Sequence, residues 1–511
     1  MLDDAHATPE PLRSATPPDV IPSLIGGRDV AEPADTLLDK RAPHDGQVLW
    51  RVAEADAGRV AGAVATARAA QPGWATTAAP ARGELLHALA QALADKLDTM
   101  AAVVARETGK SPAEARGEVQ GAVTLGRFFA GEGLRLFGRT TTSHVATKHV
   151  ATVREPVGVA ALLGAANTPA ANIAWKIFPA LIAGNTAVVK AAETAPATAW
   201  FFGELTRVAG LPGGVVNVVQ GGRDTGRALV ADHGVDVVSF TGSTLAGRDI
   251  ARVCAERLCR VSLELGGKNP MVVCDDADLD LAVHWAALSA FSNAGQRCAS
   301  GSRIIVTDVI HDRFVAALVT RAEELRLGPT DDDDLGAVIT EAALERILDA
   351  VDAAAERGQR VLTGGRRLDD DAHRGGNYLA PTVVAMRDVD DPLSEDELFG
   401  PVAQIYRARD YQHALAIANT SRYGLTAAIH TRDYATAQHF VREVRAGMAV
   451  VNGGTFGSEP HMPFGGRGDS GNGTREPGTE ALDVYTSLKT MFLWGEPALG
   501  ADAGAGTDAD R

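Results

Sequence analysis

The chain has 511 residues, 45% of them hydrophobic and 22% charged, with a formal net charge of −16. That length supports two or three domains with real cores, and a diffuse negative field opposes binding to nucleic acid or to an anionic membrane. Four cysteines (Cys254, Cys259, Cys274, Cys298) are too few for a disulfide framework and contain no CxxC pair, which suits a reduced, cytoplasmic setting.

Residues 1–22 are Ala/Pro-rich without the apolar run of a signal peptide, and residues 498–511 are a Gly/Ala/Asp run. Both are expected to be disordered tails. Ala81–Leu97 sets Leu85, Leu86, Leu89, Leu93 and Leu97 on one helical face. Thr140–Val153 alternates polar and β-prone residues and predicts a hairpin projecting from the first domain. Val157–Trp175 carries no charge, but Gly164, Asn167, Pro169 and Asn172 interrupt it. It therefore predicts a strand, a loop and a helix start, not a membrane span. Apolar strands are expected at Val157–Leu163, Ala187–Lys190, Val215–Val219 and Val237–Phe240, with helices near Ile173–Ala183, Thr198–Val208 and Ala246–Arg257. Such alternation implies a parallel α/β sheet. A second α/β series follows from Pro270 to Val451, with strands at 271–274 and 303–306 and helices near 278–291 and 311–326.

Several positions in these elements carry chemistry. Cys298 lies in FSNAGQRCAS beside Arg297. A thiol attacks only as its thiolate, which a neighbouring cation or helix N-terminus favours. Taken locally, Cys298 is either such a nucleophile or a buried structural thiol; the other three cysteines read as packing residues. Glu264, in VSLELGGKNP, follows a strand-like run and precedes two glycines. It is either a pocket-wall base raised in pKa by burial or a salt-bridged surface acid. Asn167, in GAANTPAAN, reads first as a turn asparagine, although its amide could donate to an oxyanion. FTGSTLAG, with Gly242 and Ser243, joins a strand to a helix and could admit a pyrophosphate, as could GGRDTG at 221–226. Lys190 and Glu193 end another strand, where they could hold ribose hydroxyls or simply form a solvated loop. No HExxH, GxSxG or P-loop occurs, and no metal site is expected.

In this order, the pieces resemble the NAD(P)-dependent aldehyde dehydrogenase superfamily from about Ile25 to Trp494. The matching stretches are REPVGV (154–159), the Asn167 loop, VVKAAE (188–193), FTGST (240–244), LELGGKNP (263–270), GQRC (295–298), ELFGPV (397–402), PFGG (463–466) and YTSLKT (485–490). Glu264 and Cys298 stand 34 residues apart, as the family pattern requires.

The resemblance implies a Rossmann-type cofactor domain (23–136 and 156–263), an α/β catalytic domain (264–476) and a small β oligomerisation arm (137–155 and 477–497). It implies that Cys298 attacks the aldehyde and that Asn167 and the Cys298 N–H hold the oxyanion. Hydride then passes to the nicotinamide, and Glu264 activates water to hydrolyse the thioester. Lys176, in AWK, would support the site. Lys190 and Glu193 would hold the adenosine ribose, Gly242 and Ser243 the pyrophosphate, and Glu397 with Phe399 the nicotinamide ribose. NAD is expected, with NADP possible, since a carboxylate at 193 would repel a 2′-phosphate. The partner molecule would be a small aldehyde, and the assembly a homodimer or homotetramer.

Thr168, Asn172, Trp175, Ser292, Arg297, Ala299, Phe456 and Phe464 would line the substrate pocket. Arg297 would either bind the carboxylate of a dicarboxylic semialdehyde or serve only as a structural ion pair or a contributor to thiolate formation; the aromatic residues equally suit an apolar or aromatic aldehyde. The chain departs from the family at Ala165–Ala166, Leu245 and Gly468. Glu264 argues against a CoA-acylating relative, which generally lacks it. Retention of thiol and acid argues against a catalytically silent binding member. A cysteine hydrolase would leave FTGST and VVKAAE without a purpose.

Overall fold

Two seven-stranded sheets organise the chain, and the polypeptide passes from the first to the second immediately after Glu264. The computed structural model describes residue 12, residues 16–31 and residues 37–495. The first sheet runs, in spatial order, Arg260–Glu264, Val237–Thr241, Val159–Leu163, Thr186–Lys190, Val216–Val219, Ser23–Ile25 and Arg28–Val30. Its first five strands are parallel, and the short Ser23–Val30 hairpin closes one edge antiparallel. The second sheet runs Arg360–Thr363, Thr382–Ala385, Val402–Ala408, Arg303–Thr307, Pro270–Val273, Thr426–His430 and Met448–Val451. It is parallel except at the Arg360–Thr363 edge.

Central strands are buried on both faces, which explains their unbroken apolar runs: every residue of Val159–Leu163 and of Arg303–Thr307 is inaccessible. Helices Pro169–Ile182 and Pro196–Val208 cover one face of the first sheet, and Ala57–Thr76 contributes to a separate core on the other. Both covering helices begin with proline and lack a side-chain cap of their own. Two distant glutamates supply it. Glu107 accepts from the Ala197 and Thr198 N–H groups, and Glu118 from those of Ala170 and Ala171. A carboxylate at a helix N-terminus satisfies donors that otherwise have no partner and complements the dipole.

The predicted strands and helices appear with small shifts. The helix expected to begin at Ala246 starts at Thr244, because the Ser243 hydroxyl accepts from Ala246 N–H. The strand expected from Val157 starts at Val159. Gly158 has φ +134°, and a Cβ there would overlap Asp236. The single helix expected over Ala81–Leu97 is two: Ala79–Asp95 ends at Lys96, and Leu97–Thr108 begins a new direction.

The alternating segment does form a hairpin, Thr140–Thr141 against Lys148–Pro156, and Thr486–Trp494 joins it antiparallel, pairing Trp494 with Lys148. The expectation of a tail over 1–22 is corrected at its end. Val20–Ile21 pairs in parallel with Val48–Ala53, and Ile21 is buried, because that strand offers it a ladder and a core. Residues 1–11 and 13–15, and the expected tail 498–511, lie outside the described residues. Among the described residues no helix is long and apolar enough to cross a membrane.

Candidate active site

Glu264 is the last residue of an edge strand, where the chain leaves the first sheet. Its register partner is Thr241, and its carbonyl accepts from the Gly242 N–H at 3.1 Å. Strand pairing thus sets Gly242 and Ser243 beside it. The Glu264 carboxyl is buried, and both its oxygens lack a hydrogen-bond partner among the described residues. Burial foremost, then the nearby Glu476 carboxylate, push its pKa well above the ordinary range; Lys176 and Arg475 oppose this. Burial therefore favours the protonated form of this acid.

Cys298 reaches the same place from the second sheet. Helix Leu279–Phe291 ends in three consecutive left-handed residues, Asn293 (φ +54°), Ala294 (+51°) and Gly295 (+67°). Such a conformation is costly for non-glycine residues. Glu114 helps to hold it, accepting from the Asn293 N–H at 2.6 Å. Burial, then the Glu397 and Glu264 carboxylates, push the Cys298 thiol up to about 12, while the Ala299 and Cys298 backbone N–H groups pull it down. At rest the group is a thiol. The neighbouring Arg297 guanidinium lies 3.5 Å from Glu114 and 4.8 Å over the Phe456 ring, and it is not among the groups that shift the thiol.

Asn167 is buried, and its amide donates to the Gln296 carbonyl at 2.9 Å. An amide nitrogen has two protons, so one remains for a ligand. The Asn167 carbonyl accepts from Lys110 Nζ (2.8 Å) and Asn293 Nδ2 (3.2 Å), which fixes the loop.

Two cavities meet at the thiol. One, about 430 Å³, is lined by Gly242, Ser243, Glu264, Arg346, Glu397 and Phe399; Asn172 also faces it. The other, about 600 Å³, is lined by Arg297, Ala299, Phe456 and the polar residues Lys110, Glu114 and Glu118. Asn167, Thr168, Trp175, Cys298 and Phe464 face both. Trp175 packs edge-on against Phe464, ring centres 5.1 Å apart, and the Asn172 amide donates to the Thr168 hydroxyl at 2.8 Å. Two reactants can thus reach one sulfur from two cavities.

The first cavity fits a dinucleotide at its reactive end. Gly242 and Ser243 open a helix, as suits a phosphate. Glu397 stands at the wall, accepting from the Gly267 N–H at 3.1 Å, with its pKa raised to about 7 by burial. A Cβ at Gly266 would overlap its other oxygen, so only glycine leaves that carboxylate in place. Phe399 (φ +56°) is strained into the same wall.

Four of the residues singled out in the sequence lie outside both cavities: Lys176, Lys190, Glu193 and Ser292, whose hydroxyl donates to the Leu288 carbonyl at 2.6 Å. Lys176 pairs with Glu476 in the core behind Glu264, and Ser239 accepts a hydrogen bond from it. It does not touch the space where reactants would sit. Lys190 and Glu193 stand at the end of a neighbouring strand; burial lowers the Lys190 pKa, and Glu193 and Glu54 partly restore it. Sequence reasoning missed Glu476, Glu114, Arg346 and the buried Lys110–Glu118 pair. Glu114 and Glu118 sit four apart on one helix, a spacing that reads as a solvated face until the tertiary contacts are known.

The chain matches the model of the aldehyde dehydrogenase family over residues 30–491. It is 38% identical over 464 residues to the alpha-ketoglutarate semialdehyde dehydrogenase of Haloferax volcanii, covering 90% of this chain and 96% of that one. It is 36% identical over 474 residues to the NADP(+) succinate-semialdehyde dehydrogenase of Escherichia coli (92% and 97%). Its fold superposes on the crystal structure of betaine aldehyde dehydrogenase from Staphylococcus aureus in complex with NAD+. That match has a TM-score of 0.90 at 31% identity and covers 94% of this chain and 95% of that one.

Proposed function

This chain belongs to the aldehyde dehydrogenase family, and on that premise we propose that it oxidises the semialdehyde of a dicarboxylic acid, with NAD(P)+, through Cys298 and hydrolysis by Glu264. The observation that carries this reading is the meeting of two cavities at one thiol, with a buried, unpartnered carboxyl on one side and a guanidinium on the other.

The aldehyde enters the cavity of Arg297 and Phe456. Cys298 Sγ attacks its carbonyl carbon as the thiol proton passes to a water in the cavity, and the free Asn167 amide proton and the Cys298 N–H receive the oxyanion. Gly242 and Ser243 would hold the pyrophosphate of the cofactor, Glu397 and Phe399 its nicotinamide ribose, and Lys190 with Glu193 its adenosine ribose. The bound nicotinamide supplies the hydride acceptor that takes the adduct on Cys298 to a thioester. Glu264, raised in pKa by burial, then takes a proton from water as the water attacks the thioester, releasing the acid and the thiol. Lys176 acts from behind, through Glu476 and the field at Glu264. Glu193 favours NAD+ over NADP+ by repelling a 2′-phosphate.

Two relatives named for semialdehydes and the cationic wall at Arg297 support the dicarboxylic reading. The cluster of Trp175, Phe456, Phe464, Ala299 and Leu425 favours the second reading, an aromatic or aliphatic aldehyde. Assay of reduced nicotinamide formation with succinic and 2-oxoglutaric semialdehydes beside benzaldehyde and hexanal decides between them. Higher kcat/KM for the charged pair supports the first; a preference for hexanal or benzaldehyde overturns it. No turnover of any of the four with either cofactor would count against an active aldehyde dehydrogenase.

The chain's free thiols support a reduced, cytoplasmic setting, and an exposed apolar strand supports a homo-oligomer. Leu488, Phe492, Leu493 and Trp494 are exposed along the strand Thr486–Trp494, an apolar edge of the kind a second copy covers.

A further inference from the structure

Five residues beyond Glu264, Asn269 is buried in the segment that joins the two sheets. Its side-chain nitrogen donates to the Cys298 carbonyl at 2.7 Å and to the Ser300 carbonyl at 2.8 Å. Its side-chain oxygen accepts from the Thr426 N–H at 3.0 Å, at the start of a strand of the second sheet. Both amide protons and one lone pair are thus committed, and the amide cannot flip without losing all three bonds. The backbone joins the grip. The Asn269 carbonyl accepts from Arg303 N–H at 3.2 Å, and Gly267 packs so closely on the Cys298 carbonyl that a Cβ would stand 2.5 Å from it.

In a trans peptide the C=O and the N–H point in opposite directions. Holding the Cys298 carbonyl therefore fixes the Ala299 N–H on the far side of the same peptide plane, and that N–H acts to lower the pKa of the thiol. We propose that Asn269 is a positioning residue for the nucleophile: by gripping the Cys298 carbonyl it aims the Ala299 N–H at Sγ and locks the thiol in register with Glu264, five residues away on the same segment. The inference rests on Cys298 being the nucleophile of the proposed function. A hydrogen bond accepted by the sulfur favours its anionic form. It matters here because the charged groups facing the thiol, Glu397 and Glu264, both oppose that form, and Arg297 points elsewhere. Backbone dipoles are then the main local source of thiolate stabilisation. One rigid segment also carries the base, the Gly267 donor to Glu397 and the clamp on the nucleophile. Their relative placement does not depend on how the two sheets settle.

The test is the pH dependence of Cys298 alkylation by iodoacetamide, read by mass spectrometry of the Cys298 peptide, in wild type, Asn269→Ala and Asn269→Asp. Asn269→Asp keeps the shape and removes both donors. The expected result is an alkylation midpoint raised by about one pH unit or more in both variants. The kcat should fall about tenfold to a hundredfold with KM for the aldehyde changed less than about twofold, since misplacement of a reacting group costs rate more than binding. Asn269→Ser, which retains one donor, should lie between them and wild type, and it carries the comparison if the other two fail to fold. An alkylation profile matching wild type in folded variants overturns the proposal. The proposed function fails by a different result, full turnover in Cys298→Ala, so the two failures are distinguishable.

Discussion

Lys176 Nζ lies 2.8 Å from Glu476 Oε2, and neither side chain reaches solvent. The two residues stand 300 positions apart, and the pair joins the helix behind Asn167 to the segment that follows the PFGG glycines. Ser239 donates to the other Glu476 oxygen, and Glu264 feels both charges. A buried pair gains little over an apolar replacement, but removing one member strands the other. Lys176→Met should therefore destabilise the fold by about 3–5 kcal/mol. Urea unfolding measures this, and a loss below about 1 kcal/mol would show that solvent or a local rearrangement already compensates Glu476.

Cys298→Ala should remove dehydrogenase turnover, a loss of at least about a thousandfold, because no other described thiol faces the cavities. Retained turnover would mean that another group is the nucleophile.

Asn167→Ala removes the one free amide proton at the junction of the cavities and should lower kcat about 100- to 1,000-fold. The carbonyl contacts with Lys110 and Asn293 are made by backbone and remain. A fall confined to KM would place Asn167 in substrate binding, not in oxyanion stabilisation.

Glu264→Gln should separate two steps. A rapid burst of reduced nicotinamide is expected to survive, while steady turnover slows about 100-fold or more for want of the base that activates water. Stopped-flow absorbance distinguishes the phases, and loss of the burst would give Glu264 an earlier role. The same variant should be the more stable protein at alkaline pH. The folded-state pKa of Glu264 lies above the unfolded value near 4.5, so the folded chain binds its proton more tightly. The stability this confers is complete below about pH 4.5 and is lost as pH rises through the raised pKa. Each tenfold tightening of proton binding in the folded chain is worth about 1.4 kcal/mol. Glutamine has no charge to desolvate. Its stability advantage over wild type should grow as pH rises above about 4.5 in paired urea titrations.

Arg297→Met should raise KM for succinic semialdehyde about tenfold or more and leave hexanal nearly unchanged, the cost of losing one charge-assisted hydrogen bond. Equal effects on both aldehydes would identify Arg297 as the partner of Glu114 alone.

Much of this was present in the order of residues. Val159–Leu163 and Val237–Thr241 announced themselves because strands covered on both faces must be apolar throughout. Glu264 and Cys298 stayed ambiguous in their local patterns, and only the order and spacing of the surrounding motifs singled them out. Other features were illegible locally. Val20–Ile21 became a strand only because Val48–Ala53 offers it a ladder. Lys96 breaks a helix that the leucine spacing carries straight through.

By itself, then, the sequence determined the α/β alternation, which is written in neighbouring residues, and the family, which is written in the order of its motifs. Tertiary structure alone decided what surrounds the thiol and the acid. It turned Arg297 toward Glu114 and Phe456, placed Lys176 behind the cavity with Glu476, and seated the Asn269 amide on the Cys298 carbonyl. Those contacts span from 29 to 300 positions of chain. No periodicity or motif encodes them; they exist only once two sheets have packed around one cysteine.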